Sequence, residues 1–352
     1  MASPTHRLGN SDYTGMGKSP YQNKRSDALN YDLRNITTTT IVIRNPANRM
    51  LPPHEACSHW AAGHLPLKEG QRVLDIGGGT GITAAAVLER NPGVHVVSVE
   101  KNKAYVELAR YKFNQRDGKK LLAELAGYPG DEQALLGAYF SQFRSNTKPV
   151  SCHVKFIVGD FTARKIKPGF DLAVANQSVH WIGVSETFEP LYPLLNNGGS
   201  FVWTTASHFV RADFDPDRYS MRYNDFTRKV LDILSKSPDF PHMNDLSTLS
   251  RPSNSVKSIQ KLTEAKGFKT RHLKTELIYY DLSILIKDYI PVFVDSLIKA
   301  RNPDFKPSPE QKEDIGRRVQ DAVAQALQDR AALSDLNHKY DFVIIFESKK
   351  IG

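Results

Sequence analysis

The residues best suited to chemistry in this sequence are glycines that directly follow an apolar run. Residues 73–76, VLDI, continue into residues 77–81, GGGTG. Glycine accepts the positive φ angles of a tight turn and lets a ligand approach the backbone, while a helix that follows offers free N–H donors. Four glycines in five positions exceed what an ordinary strand-to-helix turn needs. The stretch therefore predicts a cofactor-binding loop.

The residues around this loop narrow the choice of cofactor. A dinucleotide fingerprint that starts at Gly77 needs Gly or Ala at position 82, where this chain has Ile82. No Gly-Lys-Ser/Thr follows, as a P-loop would require. Asp75 suits a ligand with an ammonium group and repels a pyrophosphate. Glu100, about twenty residues beyond the loop, can accept hydrogen bonds from two ribose hydroxyls. S-adenosylmethionine (SAM) meets both requirements.

Four ordered blocks of the chain resemble the class I SAM-dependent methyltransferase family. They read VLDIGGGTG, VVSVEKN, VGDF and FDLAVANQSVHWI. The resemblance covers roughly residues 71–206 and is weaker in the last two predicted strands. It implies a methyltransferase that uses SAM as its cofactor. The cofactor-binding residues that it implies are Asp75, Gly77, Gly78, Gly79, Thr80, Gly81, Glu100, Lys101, Asp160, Phe161, Asn176, Gln177 and Ser178.

The resemblance also implies a role for several of these residues. Asp75 lines the methionine and ribose together with Gly77, Gly79 and Gly81. Glu100 binds the ribose hydroxyls, and Lys101 flanks the adenine. Asp160 accepts a hydrogen bond from the adenine amino group. Residues 176–178 face the methyl group that is transferred.

His180 is the candidate catalytic residue. The pair His180-Trp181 is similar to the His-Trp pair of the trans-aconitate and malonyl-carrier-protein carboxyl methyltransferases. A carboxylate acceptor needs only to be positioned in line with the methyl group. For a hydroxyl, amine or carbon acceptor, His180 could take up a proton near neutral pH. A packed histidine that supports Trp181 is the alternative.

The elements that must position these residues predict an α/β fold. From Arg72 onward, short apolar runs alternate with amphipathic segments, which is typical of a parallel sheet between helices. We expect a Rossmann-like, mostly parallel seven-stranded sheet with helices on both faces, helical insertions and an N-terminal arm, its last strand antiparallel. The predicted strands are 72–76, 95–100, 154–158, 170–175, 200–205, 270–280 and 340–347, and the first two sheet helices are 80–90 and 103–116.

The predicted domain organisation separates an arm from one large domain. Residues 1–49 form an N-terminal arm or lid, because the first forty residues are polar, without a sustained period, and hold no predicted core. Residues 50–350 form the SAM-binding methyltransferase domain. Helical insertions at about 118–149, 213–250 and 282–335 form a cap.

The acceptor should bind beyond the carboxyl ends of the strands, where inserted segments cover the sheet. The aromatic side chains in those segments favour a small, partly apolar acceptor, such as a specialised metabolite or carboxylic acid. The Asn/Asp-Pro-Pro-aromatic motif of nucleic-acid amino methylases is absent, since residues 176–179 read NQSV. The candidate substrate-binding residues are Tyr21, Tyr31, Trp181, Tyr219, Tyr223, Tyr289 and Phe293.

Composition and charge exclude several classes of protein. The chain has 352 residues, two cysteines outside any CxxC pair and a net charge of +9 from scattered basic residues. We expect no metal, no membrane span, a cytoplasmic location and no nucleic-acid partner; a homodimer stays open. An RNA methyltransferase and a SAM-fold protein without catalysis are the alternatives, while Asp75 and Ile82 disfavour a nicotinamide-dependent oxidoreductase.

Overall fold

The computed structural model describes residues 25–37, 53–163, 165–206, 210–211, 232–234, 254–281, 308–328 and 338–351. Its strands are β1 Arg72–Ile76, β2 His95–Glu100, β3 Val154–Val158, β4 Phe170–Asn176, β5 Leu195–Ala206, β6 Val210–Arg211, β7 Asn254–Ser255, β8 Phe268–Asp281 and β9 His338–Lys350. Its α-helices are α1 Arg25–Thr37, α2 Pro53–His64, α3 Ile82–Arg90, α4 Lys103–Lys112, α5 Lys119–Leu125, α6 Gly130–Thr147, α7 Val179–Ile182, α8 Val184–Leu191, α9 Val256–Glu264 and α10 Pro309–Gln328. A 3₁₀ helix, Lys148–His153, precedes β3.

Seven strands form one sheet in the order β3-β2-β1-β4-β5-β9-β8. The first five pair in parallel, and β9 lies antiparallel between β5 and β8. This confirms the predicted Rossmann-like sheet and its antiparallel last strand. The chain order reverses between β1 and β4, and in such sheets ligands bind beyond the carboxyl ends of the strands at this switch point.

Both faces of the sheet are covered, so neighbouring residues of a strand are buried on opposite sides. Val73 and Val174 contribute to one apolar cluster, while Leu74 and Ala175 contribute to the other. All four are fully buried. This explains why the strands read as continuous apolar runs rather than as alternating patterns.

Helix α1 corrects the expectation that the first forty residues hold no core. Ala28 and Leu29 are fully buried, and Ile36 is 6% exposed. They share an apolar cluster with α5 and α6, two helices that lie within the predicted insertion at 118–149. The prediction failed because polar residues, Asp32 and Asn35, are also buried on this helix and interrupt its apolar pattern. The division into an arm and a domain stays a prediction.

Several element boundaries differ from those predicted. The first sheet helix begins at Ile82 because Gly81, with a φ of 87°, stands at its N-terminal cap. The next helix ends at Lys112 rather than at 116. β5 begins at Leu195, ahead of the predicted start at 200, because an irregularity in its pairing with β4 takes in the Asn-Gly-Gly segment. β6 and β7 form a small second sheet that the sequence did not suggest.

Most of the two later insertions, at 213–250 and 282–335, lies outside the described residues, although α10 belongs to the second of them. In the part of the chain that the structure describes, no helix is both long and apolar enough to cross a membrane.

Candidate active site

The glycine loop of residues 77–81 folds over the end of β2. The N–H groups of Gly77 and Gly78 donate to the carbonyl oxygen of Val99 at 2.9 and 3.2 Å. Gly77, Gly79 and Gly81 have φ angles of 68°, 54° and 87°. This left-handed region is accessible to glycine at little cost, which explains the residue type at these positions.

Gly79 marks the open side of this loop. A Cβ atom added at Gly77 would lie 2.5 Å from the Cβ of Ser178, and one added at Gly81 would lie 3.2 Å from the Cβ of Ala109. At Gly78 the added atom would meet Ser98 and Asp75. At Gly79 it would meet no described atom within 4 Å. The loop is therefore packed on one side and open at Gly79, where a ligand can approach the backbone.

Glu100 closes the loop from β2. Its Oε2 accepts from the N–H of Gly79 at 3.1 Å, and its Oε1 accepts from the N–H of Asn102 at 2.7 Å. Burial raises the pKa of this carboxyl, and the backbone N–H donors oppose the rise. A carboxylate has about four acceptor positions, so both oxygens can still accept from a pair of ribose hydroxyls.

Asp75 lies beneath the loop and is fully buried. Its Oδ2 accepts from the hydroxyl of Ser98 at 2.7 Å, whereas Oδ1 has no hydrogen-bond partner among the described residues. Burial raises the pKa of this carboxyl to about 7, with a smaller contribution from the charge of Glu100. A buried carboxylate oxygen without a donor is suited to a cationic ligand group, such as the ammonium of SAM.

Lys101 and Asp160 meet at the ends of β2 and β3. The Nζ of Lys101 lies 3.3 Å from Oδ2 of Asp160, and Thr162 donates to Oδ1 through its N–H and its hydroxyl. Burial works to raise the pKa of Asp160, but Thr162 and Lys101 outweigh it and lower the pKa. Phe161 is 5% exposed and belongs to the core. The structure thus places Lys101 and Asp160, which are predicted to contact the adenine, together beside Glu100.

The three residues at the end of β4 have different surroundings. The Oγ of Ser178 donates to the carbonyl oxygen of Ile76 at 2.7 Å and so joins β4 to β1. The Nδ2 of Asn176 donates to the His54 carbonyl oxygen and to Ser58 Oγ, at 3.1 and 2.7 Å. Its Oδ1 accepts from Thr204. The side chains of Ser178 and Asn176 therefore connect the end of β4 to β1 and to α2.

Gln177 lies between them in a strained conformation, with a φ of 54°. Its N–H donates to the hydroxyl oxygen of Thr204 at 3.1 Å, which helps to hold this backbone. Its Nε2 is buried and has no acceptor among the described residues. Strained backbone conformations cluster at functional sites, and a buried donor without an acceptor is unusual in a folded protein. Gln177 has both features.

Thr80 faces the opposite way from the open side of the loop. Its hydroxyl donates to Oδ1 of Asp32 at 2.6 Å and accepts from Nζ of Lys112 at 3.2 Å. Nζ also donates to Oδ2 of Asp32 at 2.8 Å, and both charged side chains are completely buried. We call Asp32, Thr80 and Lys112 the anchor cluster. Sequence reasoning missed Asp32 and Lys112, because eighty positions separate them and neither belongs to a motif.

His180 lies in α7 and is 4% exposed, with its Nδ1 3.5 Å from the hydroxyl oxygen of Thr205. Trp181 is 39% exposed. Tyr31 is on α1, where its ring centroid lies 4.9 Å from that of His54. Burial lowers the pKa of His54 to about 4, so this ring is neutral at physiological pH.

The remaining predicted substrate residues, Tyr21, Tyr219, Tyr223, Tyr289 and Phe293, lie outside the described residues. Among the residues that the structure does describe, no group of three or more His, Cys, Asp or Glu side chains could hold a metal ion.

One known family matches the part of the chain that holds this site. Residues 74–201 match a family described as a methyltransferase domain. The chain carries a methyltransferase domain. The matched stretch runs from β1 to β5 and contains the glycine loop, Glu100, Asp160 and residues 176–178. This match agrees with the methyl transfer that the sequence predicts. A search of curated protein sequences found no match.

Solved structures with low sequence identity align with most of this chain, and the first of them shares its fold. The [4+2]-cyclase SpnF aligns with a TM-score of 0.50 at 14% identity, over 95% of this chain and 98% of SpnF. A putative sarcosine dimethylglycine methyltransferase from Galdieria sulphuraria aligns with a TM-score of 0.46 at 13% identity, over 92% and 98%. A SAM-dependent methyltransferase from Thiobacillus denitrificans, in complex with S-adenosylhomocysteine, aligns with a TM-score of 0.42 at 16% identity, over 91% and 97%.

The residues of the domain fit SAM in three respects. The loop is open at Gly79, Glu100 has acceptor positions to spare, and Oδ1 of Asp75 lacks a donor among the described residues. The individual cofactor contacts stay predictions. For Asn176, Ser178 and Thr80, the side chains are engaged by the protein, so we expect their backbones to form any cofactor contact.

Proposed function

We propose that the methyltransferase domain transfers the methyl group of SAM to a small molecule, a carboxylic acid or another specialised metabolite, at an oxygen, nitrogen or carbon atom. The observation that carries the proposal is the covered end of β4. Asn176 fixes α2 across this strand end through His54 and Ser58, and Tyr31 of α1 packs on the His54 ring. A strand end that is crossed by a helix in this way suits a small acceptor better than a folded macromolecule.

Bound SAM supplies a methyl group activated by its sulfonium, so the chain's own residues have to bind and orient the reactants. The amide of Gln177 can donate to an oxygen of the acceptor, which would satisfy its buried Nε2. Orientation of this kind can supply several kcal/mol of a reaction barrier. An acceptor with a carboxylate would use that donor and would need no base.

The resemblance of His180-Trp181 to carboxyl methyltransferases supports the same class of acceptor. His180 is almost fully buried against Thr205, a position that suits packing as well as proton transfer. We propose His180 as the base only for hydroxyl or amine acceptors. In that case His180→Gln should lower kcat by about 100-fold or more. For a carboxylate acceptor the same variant should leave kcat within a few-fold of wild type.

The experiment that tests this function follows methyl-labelled SAM into acceptors. The purified protein is incubated with labelled SAM and panels of carboxylic acids, phenols, amines and isoprenoids, and separately with RNA. We expect label in one class of small molecule and none with Gly79→Arg, whose side chain would fill the open side of the loop. The control is Glu89→Gln, since this glutamate on α3 is 63% exposed. Label in RNA alone, with steep salt dependence, would contradict the proposal.

A second candidate function rests on the likeness to SpnF, whose fold this chain shares and which is a [4+2]-cyclase. In that case the domain binds its cofactor and catalyses a reaction other than methyl transfer. Binding of S-adenosylhomocysteine by wild type, together with the absence of label in every acceptor panel, would favour this function over ours.

A further inference from the structure

The anchor cluster is joined to the glycine loop by a single side chain. Thr80 is the only residue among 77–81 that has one, because the other four are glycines. Three glycines of the loop have positive φ angles, so the loop's backbone is held by hydrogen bonds and packing rather than by its own steric preference. The Thr80 hydroxyl therefore adds a side-chain contact to the backbone hydrogen bonds that Val99 and Glu100 accept from the loop. That hydroxyl contacts Asp32 of α1 and Lys112 of α4.

We propose that Asp32 and Lys112 are positioning residues that set the affinity of the glycine loop for SAM by acting through Thr80. Docking of α1 and binding of the cofactor are then coupled. The inference rests on the proposed function, in that the loop must bind SAM.

The position of this ion pair argues against a role in stability alone. Removing two charges from water costs more than a buried pair generally regains, and apolar residues of similar volume often serve the fold as well. The pair is enclosed by the aromatic rings of α6, with Nζ of Lys112 4.3 Å from the ring centroid of Phe143 and 5.2 Å from that of Tyr139. Such a pocket could hold an apolar side chain. What an apolar pair cannot supply is the hydrogen bond to Thr80.

Helix α1 is also attached to its neighbours at places that do not touch the loop. Nε of Arg25 lies 2.9 Å from Oε2 of Glu107 on α4, and the two side chains are 34% and 20% exposed. The hydroxyl of Tyr128 donates to Oδ1 of Asn30 at 2.8 Å. Arg25 therefore provides a matched control, because its ion pair joins α1 to α4 without contact to Thr80.

The first test compares Thr80→Val with Arg25→Met by titration with S-adenosylhomocysteine. Valine keeps the branched shape of threonine and leaves the Asp32–Lys112 pair in place. We expect Thr80→Val to weaken binding about tenfold, the loss that corresponds to one hydrogen bond to a charged group. Arg25→Met should bind within twofold of wild type. Equal affinities of the two variants would overturn the inference.

The second test asks whether Asp32 and Lys112 act through Thr80. The double variant Asp32→Leu with Lys112→Met replaces both charges by apolar side chains, and we expect it to fold and to bind about tenfold more weakly. Adding Thr80→Val to it should cause no further loss, because the contact is already absent. A combined loss near 100-fold would show independent effects and would overturn the inference. If the double variant does not fold, the pair serves stability and the inference is likewise overturned.

A third readout is the reciprocal effect, which a purely structural pair would not produce. If docking and binding are coupled, S-adenosylhomocysteine must slow the exchange of amide hydrogens in α1. We expect this protection in wild type and Arg25→Met and its loss in Thr80→Val. Failure of wild type to bind S-adenosylhomocysteine would defeat the proposed function itself. Binding by wild type without protection of α1 would defeat only the coupling.

Discussion

Two fully buried aspartates flank the glycine loop, and their surroundings differ. Asp32, behind the loop, has a partner at each carboxylate oxygen, Thr80 at Oδ1 and Lys112 at Oδ2. Asp75, beneath the loop, receives one hydrogen bond from Ser98 and has no partner at Oδ1 among the described residues. Burial is the main cause of the raised pKa of Asp75.

The difference distinguishes a carboxylate that supports the fold from one that is available to a ligand. A buried charge that is paired and hydrogen-bonded by the protein needs no ligand as a partner, so it can act on the site only by holding other residues in position. A buried carboxyl with an unused oxygen is costly to the free protein, and a ligand can offset that cost. Gln177 is a second example, since its Nε2 is buried and has no acceptor among the described residues.

The largest effect on stability should come from breaking the ion pair between Asp32 and Lys112. Lys112→Met leaves Asp32 buried with only the Thr80 hydroxyl as a donor among its described contacts. We expect this variant to lose about 3–5 kcal/mol of unfolding free energy, measured by urea denaturation. Arg25→Met removes an ion pair between the same two helices at a partly exposed position and should cost about 1 kcal/mol or less. Similar losses in both variants would contradict the distinction between them.

Asp75→Asn tests the aspartate whose Oδ1 has no partner among the described residues. The folded pKa of about 7 exceeds the ordinary value of 3.8, so the folded state holds the proton more tightly than the unfolded chain. Wild-type stability should therefore fall as pH rises from about 4 to 7. We expect Asp75→Asn to be more stable than wild type by about 2–4 kcal/mol at pH 8, to match it at pH 4, and to bind SAM more weakly.

The control for that pH dependence is Asp160→Asn. The pKa of Asp160 is lowered, so its contribution is present above the ordinary pKa and is lost as pH falls through the folded value. This variant should show the opposite sign, with a small loss of stability at pH 8. A gain in stability for both asparagine variants would show that the pH effect is not specific to Asp75.

Asn176→Ala extends the comparison to the end of β4. The Asn176 side chain, like that of Asp32, has partners at both of its polar atoms. Its loss leaves the His54 carbonyl and the Ser58 and Thr204 hydroxyls without this contact. We expect a loss of about 2 kcal/mol in unfolding free energy. The control is Asn196→Ala, whose exposed side chain bonds Asp171 and which should change stability by about 0.5 kcal/mol or less.

Gln177→Gly should have a small effect on stability and a large one on function. Glycine relieves a left-handed backbone that costs about 1 kcal/mol, although its greater freedom when unfolded offsets part of the gain. We expect stability to stay within about 1 kcal/mol of wild type while the KM for the acceptor rises at least tenfold. An unchanged KM would remove Gln177 from the acceptor site.

The sequence predicted those parts of the molecule that are encoded locally. The loop, the end of β2 and the end of β4 were predictable because each motif lies on one strand and the turn after it. The parallel order followed from the alternation of apolar runs and helices, and YDFVIIFE predicted the last strand.

The parts that were missed depend on contacts between distant positions. Helix α1 has a core face that includes Asp32, whose burial makes sense only beside Lys112, eighty positions away. For the same reason, nothing in the sequence showed that Thr80 faces the anchor cluster or that Asn176 binds α2. The predicted roles of Thr80 and Asn176 were inferred from motif position, which fixes the backbone but not the direction of the side chain.

The central claim is that the glycine loop and Glu100 form the SAM site. Titration calorimetry with S-adenosylhomocysteine, applied to wild type, Glu100→Gln and the exposed control Glu89→Gln, tests it most directly. We predict that wild type and Glu89→Gln bind equally and that Glu100→Gln binds at least tenfold more weakly, because it loses a charged acceptor of the ribose hydroxyls and of the Gly79 N–H. Equal binding by all three proteins would contradict the claim, as would the absence of binding by wild type.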